Sequence, residues 1–175
     1  MEPCLARQLA PPGGCGVGIA TDYTAGVIEL LPKDLRCYSL FAGLADAVLE
    51  QILPQLQRHE HRKGSVVLAQ GDHDGRVFFI LDGSVEVAAD GVPIAVLREG
   101  QQFGEMHLID VQTRSATVSA VSDVTLLSLS SADLLAMRKV DQEAFILIIM
   151  NCSRDISRRL RDMNQRYAAL VRAQR

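Results

Sequence analysis

The sequence predicts a mainly β domain, a β-roll or jelly roll, with helices before and after it in the chain. The first observation is a series of short apolar runs between residues 66 and 129, and the second is the glycines that separate them. The third is a long C-terminal segment without glycine or proline. Short strands that alternate with glycine turns are typical of small barrels and jelly rolls, whereas an uninterrupted segment favours a helix.

The chain is long enough for one such domain and two flanking segments. It has 175 residues, of which 48% are hydrophobic, and this composition can fill one core. Residues 1–29 contain Pro11-Pro12-Gly13-Gly14 without sustained periodicity, which predicts a flexible N-terminal arm. We assign residues 30–140 to the domain with its N-terminal helices, and residues 141–175 to a C-terminal helix.

The first part of the domain has helical periodicity. Between about Leu30 and Leu56 the apolar residues can share one helical face, namely Leu40, Leu44, Val48, Leu49, Ile52, Leu53 and Leu56. Pro32 suits the entrance to a helix, and Pro54 should break or kink the helix near its end. The sequence therefore predicts helical structure before the first strand.

Short β-type runs follow and predict the strands of the roll. They are Val66–Leu68, Val77–Leu81, Val85–Ala89, Ile94–Leu97, Ala116–Ala120 and Val124–Leu129. In Ser84–Ala88 apolar and polar residues alternate, as in a strand with one buried face. The dipeptides Asp82-Gly83 and Asp90-Gly91 favour tight turns between strands.

The C-terminal region returns to helical patterns. Ser130 and Asp133 stand in a Ser-Ser-Ala-Asp sequence that is typical of a helix start, because a hydroxyl can cap free N–H groups. After Asp141 an apolar seam repeats in heptads: Ile149, Ile156, Leu160, Met163, Tyr167 and Leu170. A helix from residue 142 to 172 would extend roughly 45 Å, which is longer than a small roll can cover. We therefore expect a homodimer through a parallel coiled coil.

Composition argues against several classes of function. A net charge of −3 opposes general attraction to nucleic acid. No apolar stretch approaches the ~20 residues that cross a bilayer, and the N-terminal residues lack a signal-peptide pattern, so we expect a cytoplasmic protein without membrane contact. The cysteines form no Cys-x-x-Cys pair, so no zinc or redox site is expected. The arginines of the C-terminal helix are interpreted as a solvated face: Arg154, Arg158, Arg159, Arg161, Arg166, Arg172 and Arg175.

One segment, from Phe103 to Thr117, carries charged residues inside an otherwise apolar stretch. Glu105 and Arg114 stand across a polar turn, and a buried charge must be paired or bound to something. Either these two side chains pair with each other, or each meets a ligand group of matching character. Arginine offers a forked donor to phosphate oxygens, and a carboxylate accepts a hydrogen bond from a hydroxyl. Gly104 allows close approach of a ligand to the backbone, and a short helical turn is expected at Met106–Ile109.

This segment resembles the phosphate-binding cassette of cyclic-nucleotide-binding domains. The family pattern is Phe-Gly-Glu-apolar-Ala-Leu, followed several residues later by Arg-(Ala/Ser/Thr)-Ala-(Thr/Ser). The surrounding motifs resemble the family as well: Lys63-Gly64, Gln70-Gly71-Asp72, Phe79–Val85 and Leu97–Gly100. The resemblance extends from roughly Leu40 to Leu160 and includes the sensor domains of catabolite activator proteins and protein kinase A regulatory subunits.

The resemblance implies a role for each residue of the segment. Glu105 would bind the ribose 2′-hydroxyl, and Arg114 would bind the cyclic phosphate. Backbone N–H groups and the Ser115 hydroxyl would complete the anion site. The C-terminal helix, near Ile156 and Leu160, would close over the base and carry the signal. The full predicted site is Phe103, Gly104, Glu105, Met106, His107, Arg114 and Ser115.

His107 departs from the family pattern, which usually has a small residue beside the phosphate. As a cation, the imidazole would reinforce the anion site, and as bulk it would obstruct the ribose. Turned outward, it would do neither. The sequence leaves these three alternatives open.

The sequence and the resemblance together predict a stand-alone regulatory protein and not an enzyme. It would bind cAMP in preference to cGMP, because the Gly-Glu-Met and Arg-Ser-Ala-Thr context resembles the bacterial branch, and it would act on an effector protein that the sequence does not name. The nucleotide would be a ligand, and no cofactor or metal is expected. The sequence also presents no catalytic nucleophile with a positioned base.

Three alternatives accompany this hypothesis. If the chain is a fragment, it is the sensor half of a DNA-binding regulator of the catabolite-activator type. If the roll has lost its ligand, it is a scaffold in which Arg114 and Glu105 form a salt bridge. The third is a metal enzyme of the cupin type, with His59, His61 and His107 as ligands, because His-x-His spacing places two imidazoles on one strand face.

Overall fold

The structure is a computed structural model that describes residues 30–110 and 112–173. Two four-stranded antiparallel sheets form the roll, with strand orders β1-β8-β3-β6 and β2-β7-β4-β5. The strands are β1 Gln57–His61, β2 Val66–Leu68, β3 Arg76–Asp82, β4 Ser84–Ala89, β5 Val92–Arg98, β6 Gln102–Phe103, β7 Thr117–Ala120 and β8 Val124–Ser130. The helices are α1 Pro32–Leu35, α2 Asp46–Ile52, α3 Ser131–Met137 and α4 Gln142–Ala173, and 3₁₀ turns occur at Ser39–Phe41, Leu53–Gln55 and Glu105–Leu108. This architecture confirms the predicted mainly β roll with flanking helices. The predicted arm at residues 1–29 lies outside the described residues.

The sheet that contains β3 and β8 is buried on both faces. In β3, Phe78 and Ile80 belong to a cluster between the two sheets, while Val77 and Phe79 belong to a second cluster beneath the helices. Because successive side chains of a strand point to opposite faces, a strand covered on both faces is a continuous apolar run. This explains why residues 77–81 are all apolar.

Predicted and observed strands agree at all six apolar runs, but two strands have no apolar signal. The sequence of β1, Gln57–His61, is polar because this strand lies at the edge of its sheet, pairs only with β8 and contains no buried residue. β6 has two residues, too few to show a period. The turn at Asp90-Gly91 joins paired residues Ala89 and Val92, and both turn residues have positive φ, 50° and 76°. These values fit the two-residue hairpin that the dipeptide predicts.

The N-terminal helical region is more broken than its periodicity suggests. Two short helices and two 3₁₀ turns form the predicted helical structure between Pro32 and Gln55. Gly43 has a φ of 81°, which is left-handed and ends the first helical portion. Pro32 is in the first turn of α1 as expected, and Pro54 lies in the last 3₁₀ turn.

The predicted start of the C-terminal helices is confirmed. The Ser130 hydroxyl accepts a 3.0 Å hydrogen bond from the Asp133 N–H and caps α3. α4 then runs unbroken for 32 residues, or about 48 Å. Within the part of the chain that the structure describes, no helix has the length and apolar character needed to cross a membrane.

Candidate functional site

The predicted site residues lie together on the connection from β6 to β7. Phe103 ends β6, where it pairs with Phe78 of β3. Gly104 adopts a left-handed conformation with a φ of 83°, and a 3₁₀ turn follows over Glu105–Leu108. This confirms the short helical turn that the sequence predicts next to Gly104. Arg114 follows in the same connection before β7 begins.

The Arg114 side chain is buried and held by backbone carbonyls. Its Nη1 donates to the Gly104 carbonyl at 2.8 Å, and its Nη2 donates to the Arg76 carbonyl. Nη2 also lies 3.4 Å from the Asp74 carboxylate. Burial lowers the pKa of Arg114, and the charge of Asp74 opposes this effect. The Nε of Arg114 has no hydrogen-bond partner among the described residues.

Gly104 makes room for this guanidinium. A Cβ at position 104 would lie 2.9 Å from Nη1 of Arg114 and 2.9 Å from the Arg76 carbonyl oxygen. The positive φ of the residue disfavours a side chain as well. The sequence predicted that Gly104 allows close approach of a ligand, and the structure shows that it allows close approach of Arg114.

Glu105 is the most deeply buried carboxylate of the site, with a residue exposure of 2%. It forms no salt bridge with Arg114, so the structure lacks the direct Arg114–Glu105 pair that the scaffold hypothesis predicts. The partner is Arg159 of α4, whose Nη1 lies 2.9 Å from Oε1 of Glu105. The second oxygen, Oε2, has no hydrogen-bond partner among the described residues.

Sequence reasoning missed three residues that shape the site, namely Asp74, Arg76 and Arg159. Arg159 was assigned to a solvated face, but it also donates to the Gln102 carbonyl at 2.7 Å and pairs with Asp155 at 2.9 Å. Asp74 holds the Arg76 side chain at 2.6 Å and approaches Arg114. Arg159 lies far from Glu105 in sequence, and an Asp-x-Arg pair before a strand is not specific, so the sequence carried no distinctive signal for these contacts.

The remaining predicted residues lie on the same connection as Glu105 and Arg114. Phe103 is buried and stacks on Phe78, with ring centroids 5.2 Å apart. Met106 and Ser115 are exposed, and the Ser115 hydroxyl lies 3.9 Å from the Met106 sulfur. The His107 Nδ1 is 2.8 Å from the Gln112 carbonyl, so this imidazole is bound to the loop.

The histidines of β1 do not form a metal centre. His59 Nε2 lies 2.8 Å from the Ser128 hydroxyl, and the rings of His59 and His61 are 6.4 Å apart. Across residues 30–110 and 112–173, no group of three or more His, Cys, Asp or Glu side chains is arranged to hold a metal ion. The structure therefore gives no support to the cupin alternative.

Comparisons with known proteins place this geometry in a family. Residues 58–141 match the family described as Cyclic nucleotide-binding domain. The cyclic nucleotide-gated potassium channel mll3241 of Mesorhizobium japonicum is 46% identical over 94 residues, which are 54% of this chain and 26% of the channel. The Cyclic AMP receptor protein of Thermus thermophilus is 32% identical over 128 residues, which are 70% of this chain and 57% of the receptor.

A solved structure gives the same assignment. The crystal structure of the Thermus thermophilus Catabolite Activator Protein aligns with a TM-score of 0.64 and 31% identity, over 76% of this chain and 63% of that one. The chain spans only 26% to 57% of the length of the two curated relatives named above. Residues 58–141 belong to the cyclic nucleotide-binding domain family, and the described chain has the β-roll fold of that family.

Proposed function

We propose that the β6–β7 connection binds a cyclic nucleotide, with Arg114 at the cyclic phosphate and Glu105 at the ribose 2′-hydroxyl. The observation that carries the proposal is a buried donor and a buried acceptor without partners, Nε of Arg114 and Oε2 of Glu105. A buried polar group without a hydrogen bond costs about 1–3 kcal/mol. A ligand with one anion and one hydroxyl would satisfy both atoms.

The other residues of the site would complete this recognition. Met106 and Ser115 are exposed on the same connection, and the Ser115 hydroxyl and nearby backbone N–H groups would contact phosphate oxygens. Phe103 supports the connection from behind through its stack on Phe78. His107 would shape the loop, because its Nδ1 is already engaged by the Gln112 carbonyl.

We propose cAMP as the preferred nucleotide. The sequence Arg114-Ser115-Ala116-Thr117 resembles the bacterial branch of the family. One relative that is 32% identical is named as a Cyclic AMP receptor protein. Titration calorimetry with cAMP and cGMP on the same preparation would decide between the two ligands.

The signal would leave the domain through α4, because this helix contacts the site and continues beyond the roll. Arg159 joins α4 to Glu105, and the exposed seam of the distal helix would pair with a second chain. We propose a stand-alone cytoplasmic regulator that acts on an effector protein. The alternative is the sensor half of a DNA-binding regulator, which is favoured by the match to the longer Thermus thermophilus receptor.

Arg114→Ala tests the proposed site directly. The phosphate would lose its main charged partner, and removal of one member of a buried ion pair costs about 3–5 kcal/mol. Affinity for cAMP should therefore fall by about a hundredfold to several thousandfold in titration calorimetry. Arg58→Ala is the matched control, because Arg58 lies on β1 and, within the described part of the chain, pairs only with exposed Glu60.

Thermal unfolding of each variant separates binding from folding. Arg114→Lys keeps the charge but loses the fork, so it should bind more weakly than the native protein and more tightly than Arg114→Ala. A folded Arg114→Ala protein with native affinity for cAMP would refute the proposal.

A further inference from the structure

The carboxylate of Glu105 has two oxygens in different situations. Oε1 is 2.9 Å from Nη1 of Arg159, while Oε2 is buried and has no partner among the described residues. One oxygen is therefore committed to α4, and the other is available to a hydroxyl donor. A ligand that uses Oε2 need not displace Arg159.

Arg159 is held in one orientation by groups on two elements. Besides Glu105, its guanidinium contacts the Gln102 carbonyl of β6 at 2.7 Å and Asp155 of α4 at 2.9 Å. The side chain is 42% exposed, so water reaches part of the guanidinium and its own charge is partly solvated. These contacts place a fixed positive charge against a carboxylate that has almost no contact with water.

The charge state of Glu105 depends on this contact. Burial raises the pKa of Glu105, and the Arg159 charge lowers it. Two other charged groups also act on the carboxylate, Asp155 of α4 raising its pKa and Arg114 lowering it. The Cys152 thiol of α4 donates to the Glu105 carbonyl at 3.4 Å. Of the two arginines that lower the pKa of Glu105, Arg159 has the larger effect.

We propose that Arg159 is the positioning residue for sugar recognition: it fixes Oε1 of Glu105 and keeps the carboxylate ionised, so that Oε2 accepts the ribose 2′-hydroxyl. α4 thereby contributes to the affinity for the nucleotide without contacting it. Coupling between sites is reciprocal, so a hydroxyl bound to Glu105 also strengthens the attachment of α4 at Arg159. This inference rests on the proposed function and names the residue through which α4 senses the ligand.

The test measures affinity for cAMP and 2′-deoxy-cAMP from about pH 5 to about pH 8 by titration calorimetry. Without Arg159 the pKa of Glu105 rises. As the pH is lowered, Glu105 of the Arg159→Ala variant should therefore become protonated, and cAMP affinity should fall, at a higher pH than in the native protein. The expected loss is about fivefold to tenfold, the difference between a charge-assisted and a neutral hydrogen bond. Binding of 2′-deoxy-cAMP should show no such pH dependence, because that ligand lacks the hydroxyl.

Two further variants provide the controls. Arg158→Ala removes an adjacent arginine that pairs with Asp155 but does not contact Glu105, and it should keep the native pH profile. Arg159→Lys restores a cation and should recover part of that profile. In a Glu105→Gln background, Arg159→Ala should have no further effect on cAMP affinity.

The outcomes separate this inference from the proposed function. If the native protein binds neither nucleotide, the proposed function and this inference both fail. If it binds cAMP and Arg159→Ala has the native pH profile, only this inference is refuted. Equal losses for cAMP and 2′-deoxy-cAMP would also refute it, because the effect would then not pass through the ribose hydroxyl.

Discussion

The proximal and distal halves of α4 have the same secondary structure and opposite surroundings. In the proximal half, residues 142–156, four side chains are buried against the domain: Ala144, Ile148, Asn151 and Cys152. In the distal half, residues 157–173, no side chain is buried, and Leu160, Met163, Tyr167 and Leu170 are 51%, 59%, 69% and 64% exposed. Apolar spacing thus identifies the helix in both halves, but it does not distinguish a face packed within the chain from a face left for another chain.

The proximal half is also held by polar contacts. The Asn151 amide donates to the carbonyls of Leu40 and Ala42 at 3.2 and 2.8 Å, and the Arg154 side chain donates to Asn151 at 3.0 Å. Among the distal residues that the structure describes, Arg159 near the start of this half makes such contacts, to Glu105 and to the Gln102 carbonyl. A helix without tertiary packing is only marginally stable in water, and this is why we propose that a second chain covers the distal half.

The largest expected effect that sharpens this comparison comes from Ile148→Ala. Ile148 is fully buried in the apolar cluster beneath the helices, and removing such a side chain costs about 2–5 kcal/mol in the free energy of unfolding. Leu170→Ala is the distal counterpart and should change this free energy by less than about 0.5 kcal/mol. Urea unfolding at low protein concentration measures both, and equal effects would show that the two halves are equally packed.

Asn151→Ala should have an intermediate effect. The buried Leu40 carbonyl and the partly buried Ala42 carbonyl would lose their donor, and an unsatisfied buried group costs about 1–3 kcal/mol. Ser153→Ala is the control, because Ser153 is exposed and its hydroxyl bonds only to the Ile149 carbonyl one turn earlier. If both variants unfold at the same urea concentration, Asn151 does not anchor α4.

The smallest effect on unfolding, but the largest on assembly, is expected from Met163→Glu with Leu170→Glu. We propose that these residues lie in the seam of a parallel coiled-coil homodimer, where burial of each apolar side chain contributes about 1.5–3 kcal/mol. Sedimentation should show a dimer for the native chain and a monomer for the variant, which should still bind cAMP. Gln165→Glu with Ala168→Glu, two substitutions outside the seam, should leave the dimer intact. A native protein that sediments as a monomer at high micromolar concentration would contradict the proposal.

A similar contrast between covered and exposed elements explains which parts of the fold could be predicted from the sequence. Strands covered by other elements, such as β3, produce apolar runs that are visible in the sequence. β1 is exposed at a sheet edge and has no such run. The capping Ser130 and the turn at Asp90-Gly91 were predictable because their physical causes are local in the chain.

The site divides in the same way. Glu105 and Arg114 were found because they stand in one short motif with Gly104. Arg159 was not found, because its partner Glu105 lies in a distant part of the chain and only the docking of α4 brings them together. Long-range ion pairs of this kind depend on the packing of elements, which periodicity does not describe.

The apolar cluster beneath the helices sets a limit on how far α4 could travel in the signalling that we propose. Complete release of the proximal half would expose Ile148 and Cys152 together with Phe79 of β3, which they cover in one cluster. Each large apolar side chain returned to water costs about 1.5–3 kcal/mol, comparable in sum to the binding energy of a micromolar ligand. A nucleotide could not supply that energy and still bind tightly. The proximal turns are therefore expected to slide or pivot together with the N-terminal helices. The 17-residue distal half would then convert a small rotation at its base into a displacement of several ångströms at its tip.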